Sequence, residues 1–341
     1  MSRNSSYLRS WCVRTLQPLV LSFALIFAMA GLAMAQNYTI IDYPGATNTY
    51  AAGINNGGDI LGYYQVPGVA SRGFLLSAGK FTQVDYPDAK STNPKGINAL
   101  GDIVGTYTDT GGTMHGFLLS KGKSTSLDYP GADVQPYAIN SAGDIVGMIQ
   151  FPAKPMQGFL LKGGAWTMND YLLDVPSTTM NCYLGINDAG VMVGHWTTRA
   201  AGSHGVVYTK GTAAQFDYGA GDDTEAYGIN AAGDIVGYYQ DVNQANHGFV
   251  RRNGRFSPID YPEYPHTMAY GINDSGQVVG HFQDAKKVFH GFVAQLTPAG
   301  PVPPTLTVDD DGFDCPGALH TIQEAVAQAP AGATILCPSR R

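Results

Sequence analysis

The feature that most constrains this chain is a repeat built around the dipeptide Ile-Asn. The dipeptide occurs six times, and the steps between copies are 43, 42, 47, 43 and 43 residues. A Gly followed by Phe or Val stands 19 residues after each Ile, without exception. A period in the forties, with several short apolar segments per unit, is typical of the four-stranded blade of a β-propeller. The copies begin at Ile54, Ile97, Ile139, Ile186, Ile229 and Ile272.

The fifth repeat shows the predicted strands most clearly. Strand a covers Glu225 to Asn230, strand b Asp234 to Gln240, strand c His247 to Arg252 and strand d Arg255 to Tyr261. The turn Asn253-Gly254 between strands c and d is a strong hairpin signal, because both residues tolerate a positive φ. Short turns between successive strands predict an antiparallel meander.

The two ends of the repeat region predict a closed ring. The sixth repeat stops after strand c, at His290 to Leu296, whereas Tyr38 to Tyr43 near the other end resembles a spare strand d. We therefore predict an all-β fold over residues 36–296, a six-bladed β-propeller of four-stranded antiparallel blades closed by its N-terminal strand. A linear β-solenoid is the alternative, but it would not need a strand from the opposite end of the chain.

Residues 1–35 have the pattern of a signal peptide. Arg3, Arg9 and Arg14 precede an apolar run from Leu19 to Ala30, and Ala33-Met34-Ala35 fits a cleavage site. The apolar run is short for a membrane-spanning helix, which needs about 20 residues. We therefore expect an exported protein, extracellular, on the cell surface or periplasmic, with no membrane span after cleavage.

Composition narrows the class of partner. Charged residues make up 14% of the chain and the net charge is −7. Nucleic-acid binding needs a basic surface, so a nucleic-acid partner is not expected. No motif for a cofactor is found, and a monomer is the simplest expectation.

The repeats resemble the HAF-type extracellular repeat family, named for a His-Ala-Phe triplet that follows a Gly-Ile-Asn and Val-Val-Gly stretch. Here the triplet reads His-Gly-Phe at His115, His247 and His290 and His-Gly-Val at His204. The resemblance spans residues 38–296 and implies a secreted or surface repeat protein, without implying a reaction.

The C-terminal segment differs from the repeats. Residues 297–304 form a Pro-rich linker. Residues 305–341 resemble the opening cap of a pectin-lyase-like right-handed β-helix, with strands predicted at Thr305 to Val308 and Ala333 to Leu336 and a helix at Thr321 to Gln328. Because the coils of such a protein would begin where the chain stops, we expect a truncated cap and carry over no carbohydrate-active residue.

The cysteines and the acidic stretch of this tail suggest two local features. Cys315 and Cys337 lie close enough in sequence to form a disulfide in an oxidising compartment, which leaves Cys182 as a small buried thiol. The acidic stretch lacks the spacing of an EF-hand, so an acidic turn is a simpler interpretation than a calcium site. Its candidate ligands are Asp309, Asp311 and Asp314.

The loops that join the strands suggest where a ligand would bind. The a–b turns are near-copies of one another, whereas the b–c and d–a loops vary in content, which favours the latter as a recognition face. Aromatic residues at the ends of strand b are candidates for stacking on sugars, although tyrosine also packs well between strands. These candidates are Tyr63, Tyr64, Tyr107, Trp196, Tyr238, Tyr239 and Phe282.

No catalytic residue stands out. The histidines at the start of strand c recur in four of the six repeats, where Arg72 and Gln157 replace them in the other two. Equivalent residues of different repeats lie around the ring, which predicts structural hydrogen bonds and not a shared metal site. We expect a secreted binding or adhesion module for a polysaccharide or a cell-surface protein. The alternatives are an extracellular glycan-active hydrolase or lyase and a structural surface protein without a ligand. An enzyme should gather two or three acids or histidines in one deep central pocket.

Overall fold

The structure, a computed structural model, describes residues 37–169, 178–199, 202–219, 223–264, 266–296, 305–307 and 334–336. All regular elements in these ranges are β-strands. Several predicted features lie outside the described residues: the signal peptide, the Pro-rich linker, the helix at Thr321 to Gln328, the pair Cys315 and Cys337, and the acidic stretch with Asp309, Asp311 and Asp314.

The strands in chain order are β1 (Asn37–Ile41), β2 (Asn48–Ile54), β3 (Ile60–Val66), β4 (Val69–Ser77), β5 (Lys80–Val84), β6 (Ser91–Ile97), β7 (Ile103–Thr108), β8 (Met114–Ser120), β9 (Lys123–Leu127), β10 (Asp133–Ile139), β11 (Ile145–Gln150), β12 (Met156–Lys162) and β13 (Ala165–Met168). They continue with β14 (Thr178–Ile186), β15 (Met192–Thr198), β16 (Gly202–Thr209), β17 (Thr212–Phe216), β18 (Asp223–Ile229), β19 (Ile235–Gln240), β20 (Asn246–Arg252), β21 (Arg255–Pro258), β22 (His266–Ile272), β23 (Gln277–Gln283), β24 (Phe289–Gln295), β25 (Thr305–Thr307) and β26 (Thr334–Leu336).

The repeats form a propeller-like ring of antiparallel sheets. Four sheets are separate four-stranded units: β2 to β5, β6 to β9, β18 to β21, and β22 to β24 completed by β1. The third and fourth repeats, β10 to β13 and β14 to β17, belong to one eight-stranded sheet. Short strands β25 and β26 pair in parallel, at the two places where the sequence predicts strands in the tail.

The prediction of six separate blades needs a correction at this eight-stranded sheet. Strand β13 is only four residues long and pairs with β12 from Phe159 onward. The first residues of β12 therefore keep a free edge, and the nine-residue strand β14 pairs with Met156 and Gln157 in parallel. Two repeats are joined because one outer strand is short and the next inner strand is long.

The N-terminal strand closes the ring, as predicted. Strand β1 pairs antiparallel with β24 over five residues, from Asn37 opposite Gln295 to Ile41 opposite Gly291. The Tyr38 hydroxyl also donates a hydrogen bond of 2.9 Å to the Asp260 carbonyl oxygen of the preceding repeat. The edge of β24 is therefore covered by a strand that lies more than two hundred residues away in sequence.

The hydrophobic core lies between neighbouring sheets. Leu61 of the first repeat, for example, packs in one cluster with Ile103 and Phe117 of the second. The repeated Gly of strand b allows neighbouring strands and side chains to approach its backbone closely. A Cβ at Gly62 would overlap both the Tyr50 carbonyl oxygen and the Phe74 ring, so no larger residue fits.

The Asn side chains of five of the six Ile-Asn pairs donate a hydrogen bond to the next repeat, whereas the Asn55 amide donates to Asp59 in its own turn. In the a–b turn of the fifth repeat, the side-chain oxygen of Asn230 accepts the Asp234 N–H at 2.9 Å. Its amide group donates to the carbonyl oxygen of Asn273 in the next repeat at 3.3 Å. The Asn273 amide in turn donates to the Asn55 carbonyl oxygen at 3.1 Å, which joins the last repeat to the first.

Candidate functional site

A cavity of about 160 Å³ lies on the axis of the ring, lined by the first strand of every repeat. One water needs only about 15 Å³ measured in the same way, so the cavity has room for a small ligand. The residue two positions before the Ile-Asn isoleucine faces this cavity in each repeat. These six residues are Ala52, Lys95, Tyr137, Leu184, Tyr227 and Tyr270. The strands around the cavity are thus repeated six times, whereas the side chains that face the cavity differ between repeats.

A collar of isoleucines bounds the cavity towards the a–b turns. The six Ile-Asn isoleucines line both this cavity and a second one of about 90 Å³, whose wall also includes the Asn residues and the turns. The apolar collar separates a tyrosine-rich compartment from an amide-lined one.

The wall of the axial cavity is an aromatic chain. The Tyr50 and Tyr63 rings stack with centroids 4.6 Å apart, and Tyr50 meets the His281 ring edge-on at 5.0 Å. On its other side His281 stacks on Tyr270 at 5.0 Å, and Tyr270 meets Tyr227 at 4.7 Å. Rings arranged in this way offer both flat faces and hydroxyl groups to a ligand.

Lys95 is the one charged residue among the described residues that line the cavity. Its ammonium lies over the Tyr63 ring at 5.1 Å and over the Tyr137 ring at 5.5 Å. No carboxylate in the described part of the chain forms an ion pair with it. Burial lowers the pKa of Lys95 to about 8, because the cation has lost most of its water.

His281 is the second basic residue at the cavity wall. Its Nδ1 is buried and has no hydrogen-bond partner among the described residues. Burial and, to a smaller extent, the positive charge of Lys95 lower the pKa of His281 to about 3. The imidazole is therefore neutral at physiological pH in the unliganded protein.

A polar cluster lies beside the cavity, around Glu225. The carboxylate oxygen Oε2 accepts hydrogen bonds from the hydroxyls of Tyr227, at 3.0 Å, and Tyr238, at 2.7 Å. His195 Nδ1 lies 3.8 Å from the same oxygen. Glu225 thus holds the Tyr227 ring in place at the cavity wall without lining the cavity itself.

Cys182 completes a Cys-His-Glu group with His195 and Glu225, yet the geometry does not suit nucleophilic catalysis. The Cys182 Sγ lies 3.5 Å from His195 Nδ1, and the thiol is free and fully buried, as predicted for a packing residue. Burial raises the pKa of Cys182 well above its usual value, so the thiolate that attacks a substrate does not form. Burial also lowers the pKa of His195.

The structure divides the seven predicted aromatic residues into two groups. Tyr63 lines the axial cavity, and Tyr238 lies one layer away on Glu225. The other five do not line the cavity. Four pack between repeats: Tyr64 on Tyr43, Tyr107 on Tyr86 and Tyr239 on Tyr218, each at 3.7 Å, and Phe282 on Tyr261 at 3.8 Å. Trp196 packs within its own repeat, on His204 of the adjacent strand at 4.5 Å. A role for the seven in binding stays a prediction.

The strand-c histidines make the structural hydrogen bonds that the sequence predicts. His115 Nδ1 lies 2.7 Å from Asp128, the Asp of Asp-Tyr-Pro, and its Nε2 lies 3.4 Å from Asp109 in the b–c loop. His247 and His290 each have an equivalent pair of acidic neighbours in their own surroundings. The hydrogen bond that the His115 ring donates to the Asp128 carboxylate raises the pKa of His115. Within the ranges that the structure describes, no three His, Cys, Asp or Glu side chains group as a metal site.

Sequence reasoning missed most of the cavity wall: Tyr50, Lys95, Tyr137, Tyr227, Tyr270 and His281. A signal exists for Lys95, Tyr137, Tyr227 and Tyr270, because the position two before each isoleucine changes from repeat to repeat, whereas the next residue is Gly in five of the six repeats. Lys95 is the only basic residue among the six at that position.

Fold and site together define an all-β protein with a propeller-like ring of antiparallel sheets around an axial cavity. No protein-family model and no curated protein matches the chain. None of the described residues forms a helix of the length and apolarity needed to cross a membrane.

Solved structures with a similar fold exist. AofleA from Arthrobotrys oligospora is 11% identical, with a TM-score of 0.50 over 78% of this chain and 87% of AofleA. The SapL1 lectin in complex with α-methyl fucoside is 9% identical, with a TM-score of 0.50 over 75% of this chain and 98% of SapL1. The fungal lectin of Aleuria aurantia, which has a six-bladed β-propeller fold, is 12% identical over 74% of this chain and 98% of the lectin, with a TM-score of 0.48. At these identities the likeness concerns the fold alone.

Proposed function

We propose that this protein is a six-bladed propeller that binds carbohydrate in its axial cavity. The observation that carries the proposal is the composition of the cavity wall, which combines tyrosine faces with polar groups that have no hydrogen-bond or ion-pair partner among the described residues. We count the eight-stranded sheet as two adjacent blades, because each of its halves is a four-stranded meander like those of the other repeats.

The chemistry of the wall suits a sugar ring. Carbohydrates present apolar C–H faces, which pack on aromatic rings, and hydroxyls, which need hydrogen-bond partners. Tyr50, Tyr63 and Tyr137 surround Lys95, and none of their hydroxyls makes a hydrogen bond to another described residue. The wall therefore offers three hydroxyls and one ammonium to a ligand.

The predicted export of the chain and its resemblance to HAF-type repeats support an extracellular glycan as the ligand. The similar fold of SapL1, a lectin in complex with α-methyl fucoside, supports the same choice. The tail, with its paired strands β25 and β26, is proposed as a segment similar to a β-helix cap that takes no part in binding.

A cavity-filling variant tests the proposal. Ala52 lines the cavity, and Ala52→Phe would add a ring to it. Ala165 is exposed on a short outer strand, so Ala165→Phe is the matched control. A glycan array followed by isothermal titration calorimetry should show binding by the wild type and Ala165→Phe and at least a tenfold loss for Ala52→Phe. Equal binding by both variants, with both folded by circular dichroism, would place the site elsewhere.

A further inference from the structure

We infer that the ligand of the axial cavity is an acidic sugar, a uronate whose carboxylate pairs with the Lys95 ammonium. This inference deepens the proposed function and rests on it. Three properties of the cavity support it: its charge, the unused hydrogen-bond donors around it and the shape of its wall.

The described residues that line the cavity include one positive charge and no negative charge. Lys95 supplies the positive charge, and its ammonium lies over the rings of Tyr63 and Tyr137, whereas the Glu225 carboxylate lies beside the cavity and forms no ion pair with it among the described residues. A largely buried cation without an anionic partner is unfavourable for the folded protein. A ligand carboxylate would supply the missing partner through a charge-assisted hydrogen bond.

The groups around Lys95 have hydrogen-bonding capacity that the described protein leaves unused. Burial raises the pKa of both Tyr63 and Tyr137, so their hydroxyls stay protonated and can donate to an anion. His281 Nδ1 is buried without a hydrogen-bond partner among the described residues, and His281 lines the same cavity as Lys95. An anion close to Lys95 would favour the protonated imidazole and thus gain a second cationic donor.

The shape of the wall favours a ring over a compact anion. The stacked rings of Tyr50 and Tyr63 form a flat surface next to Lys95, and Leu184 and Ala52 contribute apolar surface. A pyranose ring can cover such a surface while its carboxylate reaches the ammonium. Inorganic phosphate or sulfate would leave the aromatic surface uncovered.

Calorimetric titrations with matched sugars test this inference. D-glucuronate and D-galacturonate are compared with D-glucose and D-galactose at pH 6.5 and low salt, on the wild type, Lys95→Met and the control Lys80→Met, whose lysine is exposed on strand β5. We expect each uronate to bind the wild type and Lys80→Met at least tenfold more tightly than its neutral partner. Lys95→Met should lose this preference and retain the weaker binding of the neutral sugars.

The outcomes separate this inference from the proposed function. Equal binding of uronates and neutral sugars by the wild type would overturn the acidic-sugar inference and leave carbohydrate binding intact. A uronate preference that survives in folded Lys95→Met would overturn the role of Lys95. No binding of any sugar on the array or in the titrations would overturn both. A downfield imidazole shift of His281 in NMR on addition of uronate, absent with the neutral sugar, would support the pairing independently.

Discussion

Replacing Lys95 with methionine should stabilise the ligand-free protein while it removes the preference for acidic sugars. Methionine has a similar length and no charge, so it can fill the same space over Tyr63 and Tyr137 without the need for a counter-ion. If Lys95 served only the fold, its replacement would lower the stability of the ligand-free protein, because a stabilising contact would be lost. A gain in stability together with a loss of binding is characteristic of binding-site residues.

The magnitude follows from the pKa of the lysine. A fall from the ordinary value of 10.5 to about 8 corresponds to about 3 kcal/mol against the charged form in the folded state. The contacts of the Lys95 ammonium with the Tyr63 and Tyr137 rings each stabilise the charged form by on the order of 0.5–1 kcal/mol. The expected gain at pH 7 is therefore about 1–2 kcal/mol, or roughly 2–6 °C in Tm for a domain of this size.

The gain depends on pH, and its sign can be derived. Below pH 8 the lysine is charged in both the folded and the unfolded state, so the wild type carries the full penalty. Between pH 8 and 10.5 the folded state loses its proton while the unfolded state keeps it, and wild-type stability from this group rises with pH. The difference in stability between Lys95→Met and the wild type should therefore shrink between pH 8 and 10.5. His281 does not contribute to this pH dependence, because it is neutral throughout the range.

Thermal and urea denaturation of the wild type, Lys95→Met and Lys80→Met at pH 7 and pH 10 measure both effects. Lys80→Met should lie within about 0.5 kcal/mol of the wild type at either pH, as surface substitutions usually do. A Lys95→Met protein that is less stable than the wild type by more than about 1 kcal/mol at pH 7 would refute the reasoning. So would an advantage that does not change between the two pH values.

Four further predictions concern the ring. Gly62→Ala should cost more than about 3 kcal/mol by urea denaturation, because its Cβ would overlap backbone; a cost below about 1 kcal/mol would contradict the close packing of the inner strands. Removal of residues 37–43 uncovers β24 and should give oligomers in size-exclusion chromatography, whereas a monodisperse product of equal Tm would show that closure is dispensable. Asn273→Ala should lower stability by about 1–3 kcal/mol, since it removes the hydrogen bond to Asn55 and leaves the Gln277 N–H without its acceptor; a neutral result would discount the asparagine side chains as links between repeats. The pKa of His115 measured by NMR should lie above its ordinary value and fall in Asp128→Asn; an unchanged value would discount the hydrogen bond.

The repeat period located the inner strands well because each must end at the same place near the axis. The predicted strand a of the fifth repeat, Glu225 to Asn230, matches β18, and the Asn253-Gly254 turn has the positive φ values that its residues favour. The predicted strand d ended later than β21, which stops at Pro258, although the Ile259 N–H still donates a hydrogen bond to the Gly248 carbonyl oxygen of β20. The joining of two repeats in one sheet depended on the lengths of β13 and β14, for which the sequence carries no clear signal.

The candidate site was harder to predict because neighbouring residues in a strand point to opposite faces. Tyr63 and Tyr64 were grouped as one aromatic surface, yet Tyr63 faces the axis and Tyr64 stacks on Tyr43 between sheets. Which face of a strand points towards the axis is set only when the sheets close into a ring.

The most direct test of carbohydrate binding in the axial cavity is a crystal structure of the protein soaked with the uronate that binds it most tightly. The account predicts one sugar ring on the Tyr50 and Tyr63 surface, with a carboxylate oxygen within hydrogen-bonding distance of Lys95 Nζ. A sugar bound on the outer loops or between repeats, with no ligand in the axial cavity, would contradict it.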